Sequence, residues 1–265
     1  MSALQTGRVA TTVHELFSGI QGEGVLVGVR HLFVRFHGCP LACAYCDTPA
    51  SRERIPTACA VERAAGTREF DLLPNPLFAD DLLGLIHALF ADYPHHAVAL
   101  TGGEPLLHWD ALNVLMPELH REKIPTYLET NGCLPDELLR LDEAPTYLAM
   151  DMKLPTATGG PALWEAHAAF LDAALERMAH GPSLRERLQV KLVFAAGSLP
   201  DVAHAAELIA MRCRDLSCVL QPVTLRPGGP AAPTPAETLD AQRLAAEHLR
   251  DVRVIPQTHV LLGQR

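Results

Sequence analysis

Three cysteines at C-x3-C-x2-C spacing sit in one short stretch, Cys39-Pro-Leu-Ala-Cys43-Ala-Tyr-Cys46-Asp47-Thr48, and constrain the chain more than any other feature. Three thiols on one loop can ligate three irons of a [4Fe-4S] cube and leave the fourth iron open to a ligand from outside the protein. The alternatives are a structural zinc and a disulfide. Structural zinc normally takes four protein ligands in two C-x2-C-like pairs, and no second pair follows at a workable distance. Cys59, Cys133, Cys213 and Cys218 are scattered and read as small buried or surface thiols.

Beyond the loop the text alternates between short apolar strands and amphipathic helices. In His31-Leu-Phe-Val-Arg35-Phe36, the residues Leu32, Val34 and Phe36 alternate with His31, Phe33 and Arg35, as a half-buried strand requires. If the apolar side packs on helices, Arg35 points into the sheet's other face and needs an acid or an anionic ligand beside it. Strands at 97–100, 125–129 and 146–150 each end in polar residues: Thr101-Gly102-Gly103-Glu104-Pro105, Glu129-Thr130-Asn131-Gly132 and Asp151-Met152-Lys153. Helices are expected from about Asp80, over 109–121 and near 134–141. A stripe of Trp164, Ala168, Leu171, Leu175 and Met178 marks another helix whose face packs into the core. Strands 190–194, 218–222 and 252–255, a helix over 200–212 and a capping box at Thr234-Pro235-Ala-Glu237 continue the rhythm. This is the mark of an α/β fold with a parallel sheet, closed or partly closed. The segment from Phe17 to Gly24 reads as a glycine-rich loop before the first strand, and 52–76 as an irregular surface insertion.

The chain has 265 residues, enough for one substantial core, and a single domain over 1–265 is expected, with 52–76 and 155–188 as insertions. Lys and Arg number 22 against 31 Asp and Glu, a formal net charge of −9, so there is no basic footprint for nucleic acid or an anionic membrane. A small-molecule substrate fits better. No stretch approaches the roughly 18 apolar residues of a membrane span, and the N-terminus lacks a basic segment followed by an apolar run, so a cytoplasmic location is expected.

The cysteine loop, with an aromatic residue before its last Cys, resembles that of the radical S-adenosylmethionine (SAM) enzymes, in which the open iron binds SAM. IQGEG at 20–24, FVRFHGC at 33–39, CDT at 46–48, TGGEP at 101–105, ETNG at 129–132, LQP at 220–222 and QTH at 257–259 together resemble the 7-carboxy-7-deazaguanine synthases. The resemblance runs from about Phe17 onward, outside 52–76 and 155–188. It implies a partial, open β/α barrel of the radical SAM type. It also implies ring contraction of 6-carboxy-5,6,7,8-tetrahydropterin to 7-carboxy-7-deazaguanine with loss of ammonia, for queuosine or other 7-deazapurines.

Carried over residue by residue, the resemblance makes Cys39, Cys43 and Cys46 the cluster ligands and Thr48 a ligand of Mg²⁺. Gln21, Glu23, Arg35, His259 and the terminal carboxylate of Arg265 become substrate contacts. Gly102, Gly103, Glu104, Asn131, Asp151, Lys153 and Gln221 become SAM contacts. Asp151 stands where the family often has Ser, and the tail VLLGQR differs from the family's usual one. An electron donor such as flavodoxin or ferredoxin and a homodimer are further implied, and no side chain is assigned as a general acid or base. Two rival readings share the loop: an activase that installs a glycyl radical on a partner protein, and a zinc or electron-carrier module without SAM chemistry.

Overall fold

The computed structural model describes residues 8–181 and 183–264. Its strands are β1 (Ala10–Thr11), β2 (Val13–Ile20), β3 (Arg30–Phe36), β4 (Ala58–Glu62), β5 (Phe70–Pro74), β6 (Leu77–Phe78), β7 (Ala97–Gly102), β8 (Thr126–Thr130), β9 (Tyr147–Asp151), β10 (Leu188–Phe194), β11 (Ser217–Pro222) and β12 (Asp251–Val254). The main sheet has ten strands in the order β12-β11-β10-β9-β8-β7-β3-β2-β4-β5. From β3 through β7 to β12 every neighbouring pair is parallel, and helices such as Ala79–Asp92, Trp109–Arg121, Trp164–Arg177 and Leu199–Ala210 supply the crossovers. The sheet ends at β5 and β12 without closing, so the barrel is open. Among the described residues no helix is long and apolar enough to cross a membrane.

The strand period of two divides the residues between two environments. Leu32, Val34 and Phe36 of β3 and Val98 and Leu100 of β7 are fully buried in the cluster that the helices cover. Their alternates face inward. Phe17, Phe33 and Tyr127 form an aromatic floor with Ala97, Ala99 and Ala149, and the Phe17 and Phe33 rings stack at 5.1 Å. One inward position further along lie Arg35, Thr101, Glu129, Asp151 and Lys191, so the strands place an apolar floor under a polar mouth. The alternation read from β3 is therefore the observed one, and Arg35 does face the inside. Helix Trp109–Arg121 buries Ala111, Leu112, Leu115, Met116 and Leu119, and the stripe from Trp164 to Met178 packs against the same core. The capping box at Thr234 forms with both of its hydrogen bonds, Glu237 N–H to Thr234 Oγ1 and Thr234 N–H to Glu237.

Two expectations need correction. Phe17–Ile20 is not loop but the end of β2, an antiparallel neighbour of β3; the loop begins at Gln21. The segment 52–76 is not irregular, since β4 and β5 pair as an antiparallel hairpin and β4 joins β2 in parallel. Its turn is organised by Glu62, only 1% exposed, whose carboxylate accepts from the backbone N–H of Ser18, Gly66 and Arg68 at 2.9, 3.0 and 2.8 Å. Two of these bonds are local to the turn, but the one to Ser18 spans 44 positions and leaves no local pattern to read.

Beneath the floor, His31 is fully buried with neither ring nitrogen hydrogen-bonded, and its ring stacks on His96 at 5.6 Å. Burial, reinforced by His96 and His95, pushes its pKa down from 6.5 to about 3. Because the folded value lies below the unfolded one, the unfolded chain binds the extra proton, so stability falls as pH drops from 6.5 toward 3. In a His31→Leu variant, denaturant unfolding measured across that window is expected to show a shallower decline than in the parent.

Candidate active site

The polar mouth opens into a cavity of about 720 Å³ lined by the cysteine loop, the β2–β3 loop, the carboxyl ends of β7 to β11 and the C-terminal segment. That is where α/β folds keep their sites. The cysteine loop lies directly on the turn after β7. Gly102 has φ of +126°, and a Cβ there would lie 2.3 Å from Phe36 O; one on Gly103 would lie 2.0 Å from Gly38 O. Only glycines allow this contact. His108 Nε2 donates to His37 O at 2.6 Å, Gly38 N–H donates to Ser51 O at 2.6 Å and Ala44 N–H to Thr158 O at 2.9 Å, which pins the loop on both sides.

Cys39, Cys43 and Cys46 all line the cavity, and no other cysteine among the described residues does. Burial pushes the Cys39 and Cys43 thiols up, and the Lys153 ammonium pulls both down. Nearby, Asn131 Nδ2 lies 4.0 Å from Cys39 Sγ, while Gln221 Oε1 and Asp151 Oδ1 are buried without hydrogen-bond partners. Buried acceptors left open beside a cavity call for a ligand that carries hydrogen-bond donors.

On the other side of the cavity, Arg35 Nε donates to Glu15 Oε1 at 2.7 Å, so the acid expected as its partner is present while the guanidinium also lines the cavity. Gln21, 3% exposed, donates to Glu129 Oε1 at 2.7 Å and accepts from Glu23 N–H at 3.0 Å. Thr101 Oγ1 donates to the other Glu129 oxygen at 2.8 Å. Glu23 ion-pairs with Lys191 through Oε2 and accepts from Gln257 Nε2 at 2.7 Å through Oε1. Lys191 also lies 3.2 Å from Asp151 Oδ2, which in turn meets Lys153 Nζ at 2.8 Å. Burial alone would raise the Glu23 pKa, but Lys191, Gln257 and His259 overcome it and set the value at about 2. Glu129 goes the other way, pushed up by burial against the pull of Lys191. Two carboxyls facing one cavity are thus shifted in opposite directions, Glu23 down and Glu129 up.

The C-terminal segment closes the site. Thr258 N–H donates to Gly22 O at 2.9 Å, and a Cβ on Gly22 would lie 2.2 Å from His259 Nδ1. Glu23, Asp47 and His259 bring ligand atoms within 4.8 Å of one another, but the amide of Gln257 already donates to both carboxylates, at 2.7 Å to Glu23 and 3.1 Å to Asp47. The trio therefore ties three segments together. Thr48 lines the cavity with its hydroxyl 3.4 Å from Asp47 Oδ1. Arg265 lies outside the described residues.

Of the residues expected from sequence, Glu104 alone among those described lies off the cavity surface. It is fully buried, and its oxygens accept from Leu106 N–H at 3.1 Å, Thr130 Oγ1 at 2.9 Å and Asn131 N–H at 2.8 Å. Burial pushes its pKa up to about 7 against those donors. Its side chain braces the end of β8 and so aims Asn131. His167, on the helix after β9, does similar work: Lys153 N–H donates to its Nε2 and its Nδ1 bonds Gly132 O, both at 2.9 Å. Sequence reasoning left Glu129, Lys191, Gln257 and His167 unassigned. For the first two, the signal was a charged residue at an inward strand position.

The Radical SAM superfamily pattern matches residues 33–190, so the chain is a radical SAM protein, with the [4Fe-4S] cluster and SAM that the superfamily implies. A relative in Geobacter sulfurreducens, named 7-carboxy-7-deazaguanine synthase, is 39% identical over 255 residues, covering 95% of this chain and 97% of the relative. Another of that name in Methanopyrus kandleri is 35% identical, covering 94% and 92%. The chain belongs to the 7-carboxy-7-deazaguanine synthase family. In fold it matches the crystal structure of QueE from Escherichia coli, with a TM-score of 0.55 at 24% identity over 97% of this chain and 92% of that one.

The contact between Gly103 and Gly38 O predicts that Gly103→Ala displaces the cysteine loop. Iron content per chain after anaerobic reconstitution is expected to fall well below the parent's, with the far-ultraviolet circular dichroism unchanged.

Proposed function

We propose that this chain converts 6-carboxy-5,6,7,8-tetrahydropterin to 7-carboxy-7-deazaguanine with loss of ammonia, on the way to queuosine or another 7-deazapurine. What carries the reading is one arrangement: Arg35, Gln21, Glu23 and Glu129 line the same cavity as the three loop cysteines. When bound, the cluster and SAM supply a primary carbon radical that can take hydrogen from an unactivated C–H bond. The chain's own residues hold that bond in place.

Arg35, anchored through Nε by Glu15, offers its guanidinium to the substrate carboxylate. Gln21, fixed by Glu129 and by Glu23 N–H, presents an amide that can donate and accept along a heterocycle's edge. The aromatic floor of Phe17, Phe33 and Tyr127 keeps water from below the reacting ring. Gly102, Gly103, Asn131, Asp151, Lys153 and Gln221 take SAM, and Glu104 holds Asn131 in position. His259 reaches the substrate from the C-terminal segment, as would the terminal carboxylate. The Thr48 hydroxyl is an oxygen donor suited to a hard cation, and Mg²⁺ would be held there together with substrate oxygens. The reading takes 1–265 as one catalytic domain working as a homodimer in the cytoplasm, reduced by a flavodoxin or ferredoxin.

With reconstituted cluster, SAM, Mg²⁺ and a one-electron reductant, the carboxypterin is expected to yield 7-carboxy-7-deazaguanine by liquid chromatography and mass spectrometry. No product from cluster-loaded protein overturns the reading. Arg35→Ala is expected to lower kcat/KM for the carboxylated pterin by about 10- to 100-fold, the range for losing a hydrogen bond to a charged group.

A further inference from the structure

Lys191 is the one charged side chain in Val190-Lys-Leu-Val-Phe194, and no motif singles it out. It sits in β10, held by parallel strands on both sides, and its register partner is Asp151 on β9. Gln189, two positions earlier and also inward, accepts from Val25 N–H at 2.8 Å and donates to Tyr127 OH at 2.6 Å. A Cβ on Gly24 would lie 2.4 Å from Gln189 Nε2, so β10 presses directly on the glycine-rich loop. Gln189 thus fixes the loop's backbone, and Lys191 fixes its acid.

The contacts on that acid can be counted. An ionised carboxylate offers about four lone-pair sites, two on each oxygen. Lys191 takes one on Glu23 Oε2 and Gln257 takes one on Oε1. By this count one site remains on each oxygen, and both are acceptors. A pair of parallel N–H donors completes that set, and the 2-amino-4-oxo edge of a pterin has such a pair in its N2–H and N3–H. A 2,4-dioxo ring of the same size puts a carbonyl oxygen where the amino group would be, and that oxygen would face a carboxylate oxygen. Asp151, 3.2 Å away, holds the ammonium from the other side and keeps it from moving with the ligand.

Resting on the pterin reading above, we propose that Lys191 is a positioning residue that fixes Glu23 as an acceptor-only contact, and that this contact selects a 2-amino-4-oxo bicycle over its 2,4-dioxo counterpart. Lys191 acts through Glu23. Without it, the acid keeps the Gln257 amide and the nearby His259 ring but loses the anchor on Oε2 that fixes its orientation, and the discrimination weakens.

The test uses the full chain, cluster-loaded and SAM-bound without reductant, titrated calorimetrically with 6-carboxypterin and with 6-carboxylumazine. The parent is expected to prefer the pterin by about 10- to 100-fold, as expected for hydrogen bonds to a charged group. Lys191→Met is expected to lose most of that preference, chiefly by weaker pterin binding, and Lys191→Arg, which keeps the charge and guards against a folding defect, to restore part of it. In the double variant with Glu23→Gln, the two losses are expected not to add. Pterin preference surviving in Lys191→Met, or fully additive losses, overturns the role of Lys191 while leaving the pterin reading intact. A parent that binds neither bicycle overturns the pterin reading and this proposal with it.

Discussion

Four charges of alternating sign, Lys153, Asp151, Lys191 and Glu23, run in a chain of contacts across the cavity, each side chain only 12 to 17% exposed. Taking any one of them out of water alone would cost several kcal/mol. Each is offset by a neighbour of opposite sign, and the sheet imposes the spacing, because Asp151 and Lys191 are register partners on adjacent parallel strands. The row begins at Lys153, beside the cysteine loop, and ends at Glu23, which Gln257 ties to Asp47 on that same loop. The cysteine-loop end and the β2–β3-loop end of the cavity are thus built on one electrostatic framework. Removing Asp151 or Lys191 strips a partner from the charges on both sides of it, so a defect at one end of the row is felt at the other.

Around this row the fold separates residues that touch ligands from residues that aim them. The turn after β7 illustrates both. Gly102 and Gly103 let backbone lie against backbone, whereas Glu104 turns inward and spends its oxygens on β8. His167 then joins the ends of β8 and β9 through its two ring nitrogens, and burial holds its pKa down to about 4, which keeps Nε2 an acceptor for Lys153 N–H. A rigid rim is what radical chemistry asks of a protein, because the reacting C–H must lie close to the radical carbon.

Much of this was legible in the sequence where the information is local. The period of two in β3 told which way Arg35 points, helix 109–121 could be bounded from its apolar spacing, and the capping box at Thr234 named its own partners. The cysteine triplet and TGGEP announced a site at the strand ends. What stayed hidden depends on pairing across the chain. Ser18 and Gly19 masked the end of β2, whose strand character comes from β3 alongside it. The β4–β5 hairpin relies on Glu62 reaching Ser18, and the charge on Lys191 acquires meaning only beside Glu23, 168 positions earlier. Resemblance supplied Glu104 as a ligand because the motif is shared, yet no spacing rule reveals that its carboxylate already accepts from three donors of the protein.

The tie between Gln257 and Glu23 spans 234 positions, and Thr258 reaches back 236 to Gly22. During synthesis the glycine-rich loop emerges long before the piece that clamps it, while the cysteine loop, β7 and β8 are already available to one another. The part of the cavity wall that the C-terminal segment forms is therefore the last to be completed.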